Sequence, residues 1–343
     1  MPPILILQSV SKHYEGNESY SLSDFNLQVT KGRTIAIMGE SGSGKTTLLK
    51  LIAALEDPTQ GQIYFQNQKL LGPKDKLVAG MPNIRLINQN LTLPPSQSIA
   101  ASIGYQLKHR QTDYKTARTA ELLDLFQLTE YGQKLPSQLS GGQRQRALFA
   151  WAIADEPDLL LMDEPLSHLD DMFKAYLYDQ VFNILKKSRT TVIFATHQAS
   201  EVYRLADEVV LMKNGKVIQH GTPEEVYHHP STVDAAKLMG ECNVLPSRKF
   251  LNLMGKSTTV ISTKKIIIRP TVLQIAASNE EPVIQCTVEK VTFMGSYYEV
   301  KVKVCKHSQS TYRPMLTIHS HTKPLYKNAI GIYINDTNWQ EVE

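Results

Sequence analysis

Eight consecutive residues carry the clearest chemistry in the chain: Gly39, Glu40, Ser41, Gly42, Ser43, Gly44, Lys45 and Thr46. Their spacing is G-x-x-x-x-G-K-[ST], set between a strand-like apolar run at 33–38 and a helix-like run at 47–55. Glycines let the backbone wrap a phosphate with its N–H groups turned inward. Lys45 can reach the β- and γ-phosphates, and Thr46 can offer its hydroxyl to Mg²⁺. The helix opening at Thr47 adds partial positive charge at the same place. A second candidate closes the apolar run at 159–162, which ends in Asp163 and Glu164. Such a run fits a strand buried on both faces of a parallel sheet, and α/β folds hold ligands at the carboxyl ends of these strands. Adjacent strand residues point to opposite faces. Two roles are therefore open: Asp163 in the Mg²⁺ shell, and Glu164 as general base on the attacking water.

Four further positions have both a chemical and a plain reading. Gln89 follows the strand-like run at 83–87 and can ligate Mg²⁺, orient a water, or simply face solvent. His197 ends the run at 190–196 and can donate to a γ-phosphate or be structural. Tyr14, just before Gly16, can stack on a base or be a strand-end tyrosine. Ser140, Gly141 and Gly142 open a helix-like segment whose first N–H groups can bind an anion, or which is only a capped helix start.

The elements that must hold these residues alternate in type. Runs at 4–10 and 22–30 read as paired strands, and 62–65 as another. Between 97 and 134 strand character is lost. Helices are predicted at 98–107 and 114–126, the second with Ala117, Ala120, Leu123 and Leu128 on one face. Residues 206–212 and 215–220 form a hairpin pattern, and Thr222, Pro223 and Glu225 a helix start. Beyond 240, strands at 264–269, 283–293, 298–304 and 330–334 predict a small β-barrel without an acid, base or metal cluster.

Composition bounds the rest. At 343 residues two domains are expected, and 42% hydrophobic content suffices for packed cores. No run reaches the eighteen or so apolar residues of a membrane span, and no signal-peptide pattern is present, so a cytoplasmic chain is expected. Cys242, Cys286 and Cys305 are predicted to be buried thiols. Residues 241–343 hold 13 Lys/Arg against 8 Asp/Glu, while 1–240 hold 24 against 25. That asymmetry supports a boundary near 240 and is too weak for nucleic-acid binding.

Together these motifs resemble those of ATP-binding cassette (ABC) ATPases, over nearly the whole chain. Residues 39–46 correspond to the Walker A loop, 159–163 to the Walker B strand, and Leu139-Ser140-Gly141-Gly142-Gln143 to the family signature. Gln89, 167–170 and His197 fall at the Q-, D- and H-loops, and Tyr14 at the adenine-stacking aromatic. Asn88 stands where an apolar residue is usual, and His168 where Ala is common. The resemblance implies an α/β P-loop NTPase fold at 1–240. Its recA-like core would carry an antiparallel β-subdomain and a helical subdomain at about 90–145. At 241–343 it implies an all-β, OB-like regulatory barrel of the TOBE type, with landmarks at 221–225, 240–245, 268–270 and 293–295.

The same resemblance implies ATP and Mg²⁺ as ligands, with Thr46, Gln89 and Asp163 at the metal. It implies a head-to-tail homodimer, in which Ser140, Gly141, Gly142, Gln143 and Asp170 of the partner subunit close over the nucleotide. Transmembrane permease subunits and, through them, a solute-binding protein would be the partners, at the cytoplasmic face of the inner membrane. The cargo would be iron(III), polyamine, sulfate or sugar, with 240–245 closest to the iron(III) type. Two other readings are a non-transport ABC ATPase acting on nucleic acid or ribosomes, and a nucleotide-gated regulator. The absence of long coiled-coil heptads and of a second cassette speaks against the former.

Overall fold

β1 (Pro3–Lys12) pairs antiparallel with β2 (Leu22–Thr30) on one side and β4 (Gln60–Phe65) on the other, and β5 (Gln68–Lys69) extends the sheet. Leu5, Leu7, Phe25, Leu27 and Val29 supply its buried face. The computed structural model describes residues 2–16, 19–76, 80–88, 92–165, 171–176, 181–254, 264–275, 284–305, 312–324, 329–333 and 340–342.

The central sheet has six strands in the order β10-β9-β3-β8-β7-β6. β3 (Thr34–Gly39), β6 (Ile84–Ile87), β7 (Leu159–Asp163), β8 (Thr191–Thr196) and β9 (Glu208–Lys213) run parallel. Burial on both faces explains why β7 and β8 read as continuous apolar runs. β10 (Lys216–Gly221) returns antiparallel as the hairpin pattern predicts, through a two-residue loop of Asn214 and Gly215, whose φ of 49° and 73° such a turn requires. Met38 pairs with Thr196, Asp163 with Ala195, and Ile87 with Met162. The carboxyl ends of β3, β8, β7 and β6 therefore stand side by side.

α1 (Lys45–Ile52) follows β3 and buries Leu48, Leu49, Leu51 and Ile52. α2 (Ile99–Gln106), α3 (Thr112–Leu125) and α4 (Gly141–Ile153) form the helical part, which runs past the expected limit of 145. The face predicted for α3 needs correction, because Ala117 and Ala120 are exposed and Arg118, Leu122 and Leu123 are buried. Two alanines offer little area to bury. Arg118 keeps its charge compensated by Glu121 at 2.9 Å and Glu156 at 3.6 Å. α5 (Asp171–Tyr176), α6 (Phe182–Lys187) and α7 (Ala199–Leu205) complete this unit.

The chain divides between Glu224 and Glu225, earlier than the 240 expected from charge. α8 (Pro223–His228) straddles the division, and α9 (Val233–Leu238) lies in the second unit. There, β11 (Asn243–Pro246), β12 (Lys265–Ile268) and β18 (Gln340–Val342) form one sheet, with α10 (Ser247–Leu253) following β11. β13 (Gln274–Ile275), β17 (Ala329–Tyr333), β14 (Ile284–Phe293), β15 (Tyr298–Val304) and β16 (Met315–Ser320) form the other, in that order. β15 buries Val300, Val302 and Val304, as its alternation predicts. β11, β13, β16 and β18 fall outside the predicted strands. Of the cysteines, only Cys286 is buried, and loss of hydration pushes its thiol up to about 12; Cys242 and Cys305 are half-buried. The predicted turn at Asn279 lies outside the described residues.

Arg269 explains why residues before 240 belong with the second unit. Its guanidinium is 8% exposed and donates to the carbonyls of Tyr227, Ala236, Gly240 and Glu241 at 2.9–3.3 Å, over the Tyr227 ring at 4.2 Å. Arg269→Ala leaves those carbonyls without their donor and is expected to destabilise the second unit by about 2–3 kcal/mol. Urea unfolding followed in that unit checks this; an unchanged midpoint would show the clamp to be dispensable.

Candidate active site

The phosphate loop runs from the end of β3 into α1, and close backbone approach dictates its glycines. A Cβ on Gly39 would stand 2.4 Å from the Met212 carbonyl, and one on Gly44, at φ 100°, 2.3 Å from that of Ser21. Lys45 is 7% exposed and folds back into the loop, where Nζ donates to the Gly39 and Glu40 carbonyls at 2.8 and 2.9 Å. Burial lowers its pKa, while Glu164 and Asp163 nearby favour the ammonium. A hollow of about 440 Å³ lies over the loop, lined by Ser41, Gly42, Lys45, Thr46, Asp163 and Glu164 among others.

Both carboxylates line that hollow, contrary to the expected opposite faces. The strand stops at Asp163, and Glu164 takes a left-handed φ of 48° with its N–H on the Ala195 carbonyl at 3.0 Å. The alternation of a regular strand ends there. Thr46 Oγ1 donates to Asp163 Oδ2 at 2.7 Å. His197, exposed beyond β8, places Nδ1 3.1 Å from Glu164 Oε1. The sequence offered His197 a phosphate; the fold also gives it the neighbouring carboxylate.

Tyr14 lies two residues beyond β1, half-buried. Its hydroxyl donates to Glu56 Oε2 at 2.5 Å and lies 3.4 Å from Thr47 Oγ1, while Lys12 Nζ sits 5.0 Å from the ring centroid. Burial first, then the Glu56 bond, raises the phenol pKa. Glu56, held also by Lys50 at 3.3 Å, had no signal in the sequence, since the Glu56-Asp57 pair after a helix reads as surface. If the ring stacks on a base as the resemblance implies, a contribution of about 1–3 kcal/mol makes Tyr14→Ala weaken ATP binding by about 5- to 150-fold. Tyr14→Phe keeps the ring but loses the Glu56 tether, and a loss of about threefold is expected, equivalent to one hydrogen bond. Calorimetric titration distinguishes them, and equal affinities for Ala and Phe would remove stacking.

The signature residues form a reciprocal cap at the start of α4. Ser140 Oγ accepts from Gln143 N at 3.3 Å, and Gln143 Oε1 from Ser140 N at 2.9 Å. The hydroxyl expected beside an anion thus also caps the helix, leaving the first-turn N–H groups of Gly141 and Gly142 without intrahelical partners. Gln145 Nε2 donates to the Pro165 carbonyl, tying α4 to the residue after Glu164. Gln89 and Asp170 lie outside the described residues.

A phosphate loop at the carboxyl edge of a mostly parallel sheet, with Thr46, Asp163, Glu164 and His197 gathered beside it, defines a nucleoside triphosphatase class of site. The family model described as "ABC transporter" matches residues 22–167. The sulfate/thiosulfate import ATP-binding protein of Synechocystis sp. is 35% identical over 87% of this chain and 84% of its own. The Fe(3+) ions import ATP-binding protein of Photobacterium profundum is 32% identical over 96% of this chain and 97% of its own. Among solved structures, a dimeric ATP-binding cassette in a post-hydrolysis state bound to ADP and Pi superposes with a TM-score of 0.57 at 28% identity, over 64% of this chain and 98% of that one. The chain belongs to the ABC transporter ATP-binding family. Binding of ATP and its hydrolysis go with that membership.

Proposed function

We propose that this chain is the ATP-hydrolysing subunit of a membrane importer. The carrying observation is the convergence at one sheet edge of the phosphate loop, the Thr46–Asp163 contact and the Glu164–His197 contact. In this reading Lys45 and the loop N–H groups bind the β- and γ-phosphates, and Tyr14 stacks on adenine. Glu164 takes a proton from the attacking water, and His197 senses the γ-phosphate. Thr46 and Asp163 present hard oxygens side by side at the loop, a donor set that fits Mg²⁺. With Gln89 they would hold it, and the ion would offset phosphate charge.

Two chains would pair head to tail, with Ser140, Gly141, Gly142, Gln143 and Asp170 of the partner subunit completing each site; the solved relative is likewise dimeric. ATP would then favour the closed dimer, and loss of the γ-phosphate would release it. The body up to Glu224 would be the nucleotide-binding domain, ending short of the expected 240. The β-rich unit beyond it would be a TOBE-type regulatory barrel, a reading its two sheets around one core support. Permease subunits would dock at the apolar hollow of about 520 Å³ beside Ile87 and Asn88, lined by Leu93, Pro95, Pro136 and Leu148. Docked there, the chain would sit at the cytoplasmic face of the membrane; among the described residues no helix is long and apolar enough to cross one. Iron(III) is the favoured cargo, because relatives named for Fe(3+) align over 96% of the chain.

Co-purification from membranes with a permease, followed by ATP-dependent uptake of radiolabelled iron(III) or sulfate in vesicles, tests the reading. Recovery with ribosomes or nucleic acid and no membrane partner would overturn it.

A further inference from the structure

Thr196 and Glu201 flank His197 and take no part in the chemistry above. Thr196 ends β8 and is 2% exposed. Its hydroxyl donates to Glu201 Oε2 at 2.6 Å and accepts from the Gln198 N–H at 3.0 Å. One oxygen thus links the strand before His197, the backbone after it and the following helix. Glu201 lies in the first turn of α7 and is also 2% exposed. Burial raises its pKa; the Thr196 bond, Lys174 and His197 oppose the rise, and Glu164 adds to it. An apolar side chain of similar size would fill this space at lower cost than a buried carboxyl. Stability therefore does not explain the choice of residue, whereas its position behind the His197 turn does.

We propose that Glu201 is a positioning residue for His197: with Thr196 it forms a latch that fixes the His197–Gln198 turn, keeping Nδ1 against Glu164 and leaving Nε2 for the γ-phosphate. The proposal rests on the reading of His197 as the γ-phosphate sensor. A loosened turn lets the imidazole leave its place without emptying the nucleotide pocket. Misplacement of a reacting group by about 1 Å costs up to about a hundredfold in rate.

The test is single-turnover and steady-state ATP hydrolysis by the full chain. It compares Glu201→Ala, Glu201→Gln, Thr196→Val, His197→Ala and the double variant His197→Ala/Glu201→Ala. Glu201→Ala and Thr196→Val are expected to lower kcat about tenfold or more, with KM for ATP within about twofold. Glu201→Gln, whose amide oxygen accepts the same hydroxyl, retains most of the rate. The double variant is no slower than His197→Ala alone. An unchanged kcat in Glu201→Ala overturns the proposal, as does a loss that adds in full to that of His197→Ala. A raised KM with a lowered unfolding midpoint and kcat intact also overturns it, by showing a structural role alone. If His197→Ala hydrolyses ATP at the full rate, the sensor reading fails first. If His197→Ala is slow while Glu201→Ala and Thr196→Val are not, only the latch fails.

Discussion

Glu164→Gln is expected to bind ATP and to hydrolyse it about a hundred- to ten-thousandfold more slowly, the range attributable to a general base. The substitution isolates chemistry from architecture. Gln matches Glu in size, can keep the hydrogen bond to His197, and leaves the backbone at φ 48° with its N–H on Ala195 undisturbed. What it removes is the carboxylate that would take the water's proton beside the phosphate loop. Because ATP stays intact, the variant should accumulate as a closed dimer. Single-turnover hydrolysis and size-exclusion chromatography in ATP measure the two effects together. Near-normal turnover would eliminate Glu164 as the base, whatever the oligomeric state.

Lys45→Ala should act earlier, on binding. Among the described residues lining the hollow, Lys45 is the one cation, and it faces Asp163 and Glu164. Without it a polyphosphate would approach two carboxylates with only loop N–H groups in compensation. A hydrogen bond to a charged group contributes about 1.5–3 kcal/mol, which corresponds to about 10- to 150-fold in affinity. We expect a loss near the upper end, because the ammonium is buried and weakly screened. Nζ must also give up, or share with phosphate, its bonds to the Gly39 and Glu40 carbonyls when nucleotide enters. Calorimetric titration with ATP, alongside a thermal melt that reports any loop destabilisation, is the measurement. Unchanged affinity would contradict the phosphate role.

Much of the architecture was legible because its signals are local. The spacing of Gly39, Gly44, Lys45 and Thr46 describes one loop closing on itself, so no distant residue is needed to recognise it. The apolar runs at β7 and β8 mark buried parallel strands by composition alone, and Asn214-Gly215 marks its hairpin by the φ angles it permits. Signals weakened where burial depends on a distant partner. β11 and β18 are only four and three residues long, and β18 pairs with β12 far back along the chain, Lys265 opposite Val342, so neither gives a local pattern. Arg118 reads as solvent-facing until its two carboxylate partners are in place.

Residue order alone is enough to set a phosphate loop between strand and helix, to end one buried strand in an Asp–Glu pair and another in a His, and to follow them with a second, β-rich region. Each of these follows from residue type and near-neighbour spacing. Folding, by contrast, brings those three ends together through the strand order, since parallel neighbours are chosen by long crossovers that spacing does not encode. It also turns Glu164 into the same hollow as Asp163, through a left-handed φ no strand pattern predicts. Glu56 under Tyr14 and Glu201 behind His197 belong to the same category. Each acid acquires its role only when folding places a particular hydroxyl against it.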